Sequence, residues 1–258
     1  MTTKPLRISS RHGGQHLRIV VDRPKGNVIT REVIAALRAS LADIRDEAGV
    51  KLVTIEGAGD HFSFGASVEE HLPDQIALVL PELHGLVRDL LAAPAPTGAI
   101  VRGLCLGGGF EIALACDFVF AADTARFGVP EIMLGVFPPV AAVLLPHMGA
   151  AALAARLVLS GETVDAALLE RFGLLAARTP TGAAGAVVDA WIEQHLLPRS
   201  ATSLRCAHRA LRASLLAHYR ARIGAAERLY LDELMATHDA NEGIAAFMEK
   251  RTAVWTHA

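Results

Sequence analysis

Short apolar runs alternate with helical patterns through the first two thirds of the chain. Residues 6–10 and 17–21 are apolar-rich runs on either side of a His-Gly-Gly turn, and they predict an opening β-hairpin. Apolar residues then recur at helical spacing from 34 to 44, behind a threonine that can cap the helix. Residues 52–55 and 99–101 predict buried strands. This alternation predicts an α/β fold of repeated ββα-type units around a mixed or parallel sheet.

The last third of the chain is mainly helical in pattern. Thr163 can cap a helix through residue 171, and residues 174–177 predict a last strand. Helical patterns fill the chain from 182 onward, and an earlier helical segment at 69–93 contains two prolines, Pro73 and Pro81, expected to interrupt it. We therefore divide the chain into a core, residues 1–180, and a C-terminal helical region, residues 181–258. A helical tail of this kind cannot bury its apolar face alone.

The composition fits one large globular core with a small appendage. The chain has 258 residues, of which 52% are hydrophobic and 20% are charged. A formal net charge of −2 gives no global electrostatic case for binding nucleic acid or an anionic membrane. Three widely spaced cysteines in apolar sequence predict buried thiols and a reducing, cytoplasmic location. The uncharged run at 132–155 contains three prolines, so we expect a buried loop and helix there and no membrane span.

A glycine triplet stands at the centre of the most informative stretch, residues 98–139. A short strand pattern leads into Gly107-Gly108-Gly109, and helix-forming residues follow directly. A helix N-terminus presents free N–H groups and favours negative charge, so an amide here could bind a developing oxyanion. A tight turn between strand and helix is the structural alternative for the same triplet.

Two glutamates follow this triplet in apolar surroundings. Glu111 lies in the first turn of the predicted helix, and Glu131 comes 20 positions later, directly after a proline. A carboxylate in such surroundings costs free energy unless it is paired or functional. Each glutamate alone is also explained as an acid favoured by a helix dipole. Together, close to a candidate oxyanion site, they indicate acid–base chemistry.

Several strings in this chain resemble motifs of the crotonase (enoyl-CoA hydratase/isomerase) superfamily. They are Gly107-Gly108-Gly109-Phe110-Glu111, Cys116-Asp117, Phe127-Gly128-Val129-Pro130-Glu131, Leu134-Gly135 and the earlier His61-Phe62-Ser63-Phe64-Gly65-Ala66-Ser67. The resemblance covers about residues 15–180, with a separate match at 242–251. It implies a crotonase-like spiral of ββα units with a C-terminal helical trimerisation region. A homotrimer or a dimer of trimers is therefore expected.

The resemblance also assigns residues to steps of a reaction. Members of the family polarise an acyl-CoA thioester carbonyl with two backbone N–H groups, which here match Ala66 and Gly108. Hydratases of the family use two glutamates around one water, and these match Glu111 and Glu131. Coenzyme A is then part of the substrate, and no separate cofactor is implied. The presence of both acids favours a hydratase, which is a hydro-lyase, over an isomerase or a thioester hydrolase.

Two departures from the family pattern concern the substrate. Ser67 stands where an aspartate is common, and Pro138-Pro139 replaces part of a glycine-containing string. The strings at residues 62–73 and 135–139 are most similar to the cyclic dienoyl-CoA hydratases of anaerobic benzoyl-CoA degradation. A straight-chain enoyl-CoA hydratase or isomerase is the alternative. Phenylalanines could supply flat walls for a six-membered ring. The residues expected to bind the substrate are Phe62, Phe64, Ser67, Gly107, Phe137 and Pro139.

Seven arginines between residues 199 and 228 are opposed by one glutamate. Among them, Arg205, Arg209 and Arg212 fall on one face of the predicted helix. Three interpretations of this cluster stay open. The arginines form salt bridges to other segments, or they contact the phosphates of coenzyme A. Alternatively, they bind RNA in a non-catalytic or scaffold member of the fold.

No motif predicts a metal site or a nucleotide cofactor. The 11 histidines do not fall into ligand spacing, and no His-Glu-x-x-His string is present. The chain also lacks a Gly-x-Gly-x-x-Gly string and a Walker-type loop. The sequence therefore predicts no bound metal.

Overall fold

A computed structural model describes residues 4–44 and 47–258. The strands of this part of the chain are Leu6–Arg11 (β1), His16–Val21 (β2), Leu52–Gly57 (β3), Thr97–Val101 (β4), Leu104–Leu106 (β5), Phe118–Ala122 (β6), Arg126–Gly128 (β7), Thr163–Asp165 (β8) and Ala177–Thr179 (β9). Its α-helices are Arg31–Asp43 (α1), Pro73–Leu91 (α2), Gly108–Ala115 (α3), Pro139–His147 (α4), Ala151–Ser160 (α5), Ala166–Arg171 (α6), Ala184–His195 (α7), Ala201–Arg228 (α8) and His238–Glu249 (α9). Short 3-10 turns lie at His12–Gly14, Glu69–His71, Pro130–Leu134 and Leu234–Ala236, and a π-helical turn at Leu229–Glu233.

The strands form two sheets. In the larger sheet the order is β1-β2-β3-β4-β6-β9, and all neighbours are parallel except the antiparallel pair β1 and β2. In the smaller sheet, β7 lies between β5, which is parallel to it, and β8, which is antiparallel. Strands β3 and β4 are buried along their whole length, as expected where both faces of a parallel sheet are covered. The predicted α/β fold with a mixed sheet and an opening hairpin is confirmed.

Helix α1 begins and packs as its sequence predicts. Thr30 caps it, because its side chain accepts a hydrogen bond from the Val33 amide at 3.4 Å. Ile34 and Leu37 are buried in the main core. The apolar spacing was therefore sufficient to place this helix.

The proline positions in helix α2 differ from the prediction. Pro73 is the first residue of α2, where its missing N–H group is tolerated, and Pro81 lies inside the helix without ending it. The expected interruptions are therefore wrong. Val79 before Pro81 and Leu83 and Leu86 after it are all buried, so the buried face of α2 continues on both sides of the proline.

The region around residue 163 was also assigned incorrectly. Thr163 pairs with Gly128 in the smaller sheet, and Asp165 caps helix α6 by accepting the Leu168 amide at 2.9 Å. The last strand begins at Ala177, whereas residues 174–177 were predicted. Strand β8 has three residues, and its last residue is also the cap of helix α6. A pattern this short shows no periodicity by which the strand could be distinguished from the start of the helix.

Helices α7, α8 and α9 make up the C-terminal helical region. Helix α8 packs on the main core through Tyr219, with Leu215 and Leu216 beside it. Its Leu211 is 74% exposed, and Phe247 of α9 is 54% exposed. These helices therefore leave apolar surface uncovered in the single chain.

Among residues 4–44 and 47–258, no helix combines the length and the apolar character that crossing a bilayer requires. The uncharged run at 132–155 instead contains the end of a 3-10 turn, helix α4 and the start of helix α5. Helix α4 is mostly buried. The predicted buried helix is confirmed, whereas the loop before it is not buried, since Ile132 and Met133 are exposed.

Candidate active site

The glycine triplet forms a sharp entry into helix α3. Gly107 follows strand β5 and has φ 49° and ψ −131°, a conformation that favours glycine. A side-chain carbon at this position would lie 2.6 Å from Oε1 of Glu131. Gly107 is therefore required both for the turn and for the space that the Glu131 carboxyl group occupies.

Two backbone amides meet at the start of helix α3. Gly108 is the first helical residue, and a side-chain carbon built on it would lie 3.4 Å from the Ala66 amide nitrogen. The loop carrying Ala66 is held by hydrogen bonds on either side: Ile29 N–H donates to Gly65, and Ser67 N–H donates to Ile29. Within the described part of the chain, neither the Ala66 nor the Gly108 amide has an acceptor. The structure thus brings two unused donors side by side.

Glu111 lies one turn into helix α3 and is buried. Its Oε1 accepts a hydrogen bond from the Ala141 amide at 2.9 Å. Ala141 is in the first turn of α4, which begins at Pro139, so this carboxylate caps the N-terminus of a second helix. Burial raises the pKa of Glu111, although the Ala141 hydrogen bond acts in the opposite direction.

Glu131 lies in the 3-10 turn Pro130–Leu134, and no amide of another helix donates a hydrogen bond to it among the described residues. Its Oε2 is buried and makes no hydrogen bond with any described residue. Burial, together with the negative charge of Glu111, raises the pKa of Glu131 to about 8. At neutral pH this carboxyl group therefore holds a proton, as a general acid must.

Glu131 lines a small cavity together with the two candidate oxyanion segments. The cavity is bounded by Gly65, Ala66, Gly107, His71 and Ile244, among other residues. A larger apolar cavity of about 480 Å³ adjoins it and shares Phe64, Val68, Pro130 and Leu134 with it. Helix α9 closes the far side through Phe247. The arrangement is an apolar groove that reaches the Glu131 carboxyl group beside Ala66 and Gly107.

The expected substrate-binding residues are only partly brought together. Phe64 and Gly107 line the cavity that holds Glu131. Phe137 lies behind that cavity against Tyr230, and Pro139 is buried at the start of α4. Ser67 is buried and donates to Glu69 Oε2 at 2.9 Å.

Phe62 is the exception among the proposed pocket walls. Its side chain is 4% exposed and belongs to the main hydrophobic core, and it lines neither of the two cavities. The interpretation of Phe62 as a wall of the substrate pocket is therefore corrected, because its ring is packed inside the hydrophobic core. Phe64, two residues later, faces the cavity instead.

Sequence reasoning missed three residues near the site. His71 lines the cavity, and burial lowers its pKa, so its ring is neutral. Ile244 arrives from helix α9, within the string that had been noted only as a separate match. Tyr230 comes from the π-helical turn after α8 and packs on Phe137. His71 and Ile244 both lie in strings that resemble the family, but nothing in the local pattern around Tyr230 singles it out.

The arginine cluster is split between structural and surface roles. Arg212 is buried and binds Asp117 Oδ1 at 2.5 Å, while His208 Nε2 lies 3.0 Å from the other oxygen of Asp117. Arg205, Arg209 and Arg212 line one surface cavity of about 370 Å³, which confirms that they share a helix face. For Arg212 the salt-bridge reading is confirmed.

One histidine cluster lies elsewhere, between the opening hairpin and helix α7. Potential ligand atoms of His12, His16 and Asp189 lie within 4.8 Å of one another. Arg11 already pairs with Asp189 at 2.7 Å, so the carboxylate has a cation from the chain itself. Burial lowers the pKa of His16 to about 4, which keeps its ring neutral beside that arginine. Spacing along the sequence did not reveal this cluster, because α7 is remote from the hairpin in the chain.

Comparison with known proteins groups this chain with CoA-thioester enzymes. Residues 15–258 match the family model described as enoyl-CoA hydratase/isomerase. The chain is 44% identical over 253 residues to cyclohexa-1,5-dienecarbonyl-CoA hydratase of Thauera aromatica, covering 98% of this chain and 97% of that protein. It is 32% identical to 2,3-dehydroadipyl-CoA hydratase of Escherichia coli, covering 92% and 93% of the two chains.

Solved structures agree with this grouping. An enoyl-CoA hydratase from Mycobacterium avium subsp. paratuberculosis superposes with a TM-score of 0.85 at 30% identity, covering 98% of both chains. A carnitinyl-CoA hydratase from Mycobacterium avium has the same TM-score at 28% identity, covering both chains fully. The similarity therefore extends over the C-terminal helices as well as the sheets.

Proposed function

The chain belongs to the enoyl-CoA hydratase/isomerase family, and from that premise we propose that it adds water to cyclohexa-1,5-diene-1-carbonyl-CoA. Its relatives are hydratases of CoA thioesters, and the chain is an acyl-CoA hydratase, a hydro-lyase. The observation that carries the cyclic substrate is the 44% identity to the Thauera aromatica enzyme over almost the whole chain, compared with 32% for a hydratase of a linear acyl group.

In this proposal the Ala66 and Gly108 amides bind the thioester oxygen. When water adds to a conjugated thioester, electron density moves to the carbonyl oxygen, and two donors at about 3 Å stabilise the charge that develops. One such donor contributes roughly 3 kcal/mol to transition-state stabilisation. The absence of any protein acceptor for these amides within the described residues supports the assignment.

Glu111 and Glu131 move the protons. Glu111 orients and deprotonates the water, and Glu131 supplies the proton that carbon gains. The proton that Glu131 holds at neutral pH supports this division of roles. The Ala141 amide fixes one Glu111 oxygen, which supports its role in orienting the water.

In the cyclic diene, the carbon that gains the hydroxyl group and the carbon that gains the proton lie opposite each other in the ring. The water oxygen adds to the ring carbon β to the thioester carbonyl, and the electron pair of that double bond moves into a dienolate. Negative charge then rests on the carbonyl oxygen, the α carbon and the γ carbon of the other double bond. Protonation of this γ carbon by Glu131 completes a 1,4-addition and gives 6-hydroxycyclohex-1-ene-1-carbonyl-CoA. Coenzyme A leaves with the product, and the proposed reaction uses no further cofactor or metal.

We also propose that the chain works as a homotrimer or a dimer of trimers in the cytoplasm. Exposed apolar side chains on the C-terminal helices, among them Leu211, Leu229 and Phe247, support burial against a second chain. Cys105 and Cys116 are buried free thiols, and Cys206 is an exposed free thiol, in keeping with a reducing compartment.

Specificity constants for two thioesters test the substrate. We expect kcat/KM for cyclohexa-1,5-diene-1-carbonyl-CoA to exceed that for crotonyl-CoA, because the apolar groove with Phe64 suits a flat ring. A preference for crotonyl-CoA would identify an ordinary enoyl-CoA hydratase. Isomerised product without added water, or free coenzyme A, would reject hydration itself. Binding of RNA with no turnover of either thioester would favour the scaffold reading.

A further inference from the structure

Tyr230 carries a buried hydroxyl group with no partner. It is 1% exposed, and its Oη makes no hydrogen bond with any described residue. The chain has two tyrosines, and the other, Tyr219, is equally buried but donates to the His84 carbonyl at 2.9 Å. An unsatisfied buried hydroxyl costs about 1–3 kcal/mol, so such a group usually meets a water or a ligand.

The position of Tyr230 connects it to the active site. Its ring packs on Phe137 with 5.5 Å between the ring centroids. It shares a hydrophobic cluster with Val136 and Ile244, and both of these residues also line the cavity that holds Glu131. Tyr230 therefore packs against residues that line the cavity of Glu131.

Two buried polar groups without a described partner thus belong to the same region, because the charges of Glu131 and Glu111 act on Tyr230. Glu131 Oε2 has no partner among the described residues, and neither has Tyr230 Oη. Burial raises the pKa of Tyr230, and the negative charges of Glu131 and Glu111 raise it further. The tyrosine consequently stays protonated and can act as a hydrogen-bond donor throughout the neutral range.

The backbone around Tyr230 is unusual as well. Leu229–Glu233 forms a π-helical turn directly after α8. Such turns are rare, and they occur frequently at functional sites because the wider turn changes the direction of the side chains. Here the turn places Tyr230 inside while its neighbour Leu229 is 47% exposed.

We propose that Tyr230 Oη donates a hydrogen bond to the oxygen of the water that Glu111 and Glu131 hold. This role rests on the proposed function. The water would donate one hydrogen bond to each carboxyl group, accept one hydrogen bond from Tyr230 and direct its remaining lone pair at the β carbon. Only the proton facing Glu111 is transferred, and the other stays on the product hydroxyl. All four tetrahedral positions of the water are then used. After addition, the same tyrosine donates to the new hydroxyl group, and it neither gains nor loses a proton over the cycle.

Replacement of Tyr230 by phenylalanine separates this role from a structural one. The Tyr230→Phe variant keeps the ring that packs on Phe137 and loses only the hydroxyl. We expect kcat for hydration to fall about tenfold, the effect of one hydrogen bond to a reacting group. Exchange of the γ proton of cyclohex-1-ene-1-carbonyl-CoA in D2O should remain within about twofold of wild type. This compound is the deoxy form of the product, and its exchange requires Glu131 and the oxyanion donors but no added water.

Tyr219→Phe is the matched control. It removes the second buried hydroxyl, which already has its own acceptor, and should lower Tm while leaving kcat within about twofold. Equal loss of hydration and exchange in Tyr230→Phe would show that the tyrosine shapes the site or supports Glu131, and would overturn the proposal. Unchanged hydration would overturn it also. If the wild-type protein hydrates neither the cyclic diene nor crotonyl-CoA, the proposed function itself fails, and the role of Tyr230 fails with it.

Discussion

Replacing Glu131 by glutamine should stabilise the fold while removing activity. The pKa of this carboxyl group is raised from 4.5 to about 8, first by burial and then by the charge of Glu111. Below pH 4.5 the native and unfolded chains both hold the proton. Between pH 4.5 and about 8 only the native chain still holds it, so this group makes the native state less stable as pH rises.

The magnitude follows from that interval. Each pH unit within it corresponds to about 1.4 kcal/mol, so the cost at pH 7 is about 3 kcal/mol. Glutamine resembles the protonated acid in shape and cannot ionise. We expect Glu131→Gln to gain about 3 kcal/mol of unfolding free energy over wild type at pH 7, or about 6–12 °C in Tm, and less than about 1 kcal/mol at pH 5.

Urea unfolding followed by circular dichroism at pH 5, 6, 7 and 8 measures this difference. Glu47→Gln, at an exposed position, is the control and should show no pH-dependent gain. A gain for Glu131→Gln that is the same at every pH would refute the reasoning. A variant less stable than wild type at pH 8 would refute it as well.

The remaining predictions concern catalysis and assembly. Glu111→Gln and Glu131→Gln should each lower kcat at least about a hundredfold with coenzyme A binding intact by calorimetry, because only proton transfer is lost; near-full turnover in either would reject the two-acid assignment. Gly108→Pro should abolish turnover in a chain that still folds by circular dichroism, since proline is tolerated at the first helical position but has no N–H group; an active folded variant would remove the oxyanion role. Light scattering at micromolar concentration should give a trimer or hexamer, and a monomer of 27.3 kDa would contradict the assembly.

The sequence predicts well those elements that depend on interactions between residues close together in the chain. The hairpin, helix α1 and the entry into α3 follow from apolar spacing, a threonine cap and a glycine triplet. Thr163 was misplaced because a three-residue strand and a helix cap overlap in one short string, and Asp165 supplies the cap. Residues in a β bridge or a cap are selected by their pairing partners, which a single stretch of sequence does not contain.

The candidate site depended on contacts between distant segments. The motifs located Glu111, Glu131 and the two amide segments, but not the Ala141 amide that holds Glu111, which lies 30 positions away. Phe62 was placed in the pocket because aromatic residues suit a ring, whereas only the fold determines which of two neighbouring phenylalanines faces the core. Tyr230 stood in an arginine-rich helical tail, and only the packing of that tail against Phe137 connects it to the glutamates.

The position of deuterium in the product tests the central claim most directly. When cyclohexa-1,5-diene-1-carbonyl-CoA is turned over in D2O and the product is examined by NMR, the account predicts a hydroxyl group on the ring carbon β to the original thioester carbonyl. It also predicts one deuterium on the γ carbon across the ring, delivered by Glu131. Deuterium on the carbon next to the hydroxyl-bearing carbon, or a product without a hydroxyl group, would contradict 1,4-hydration through a dienolate.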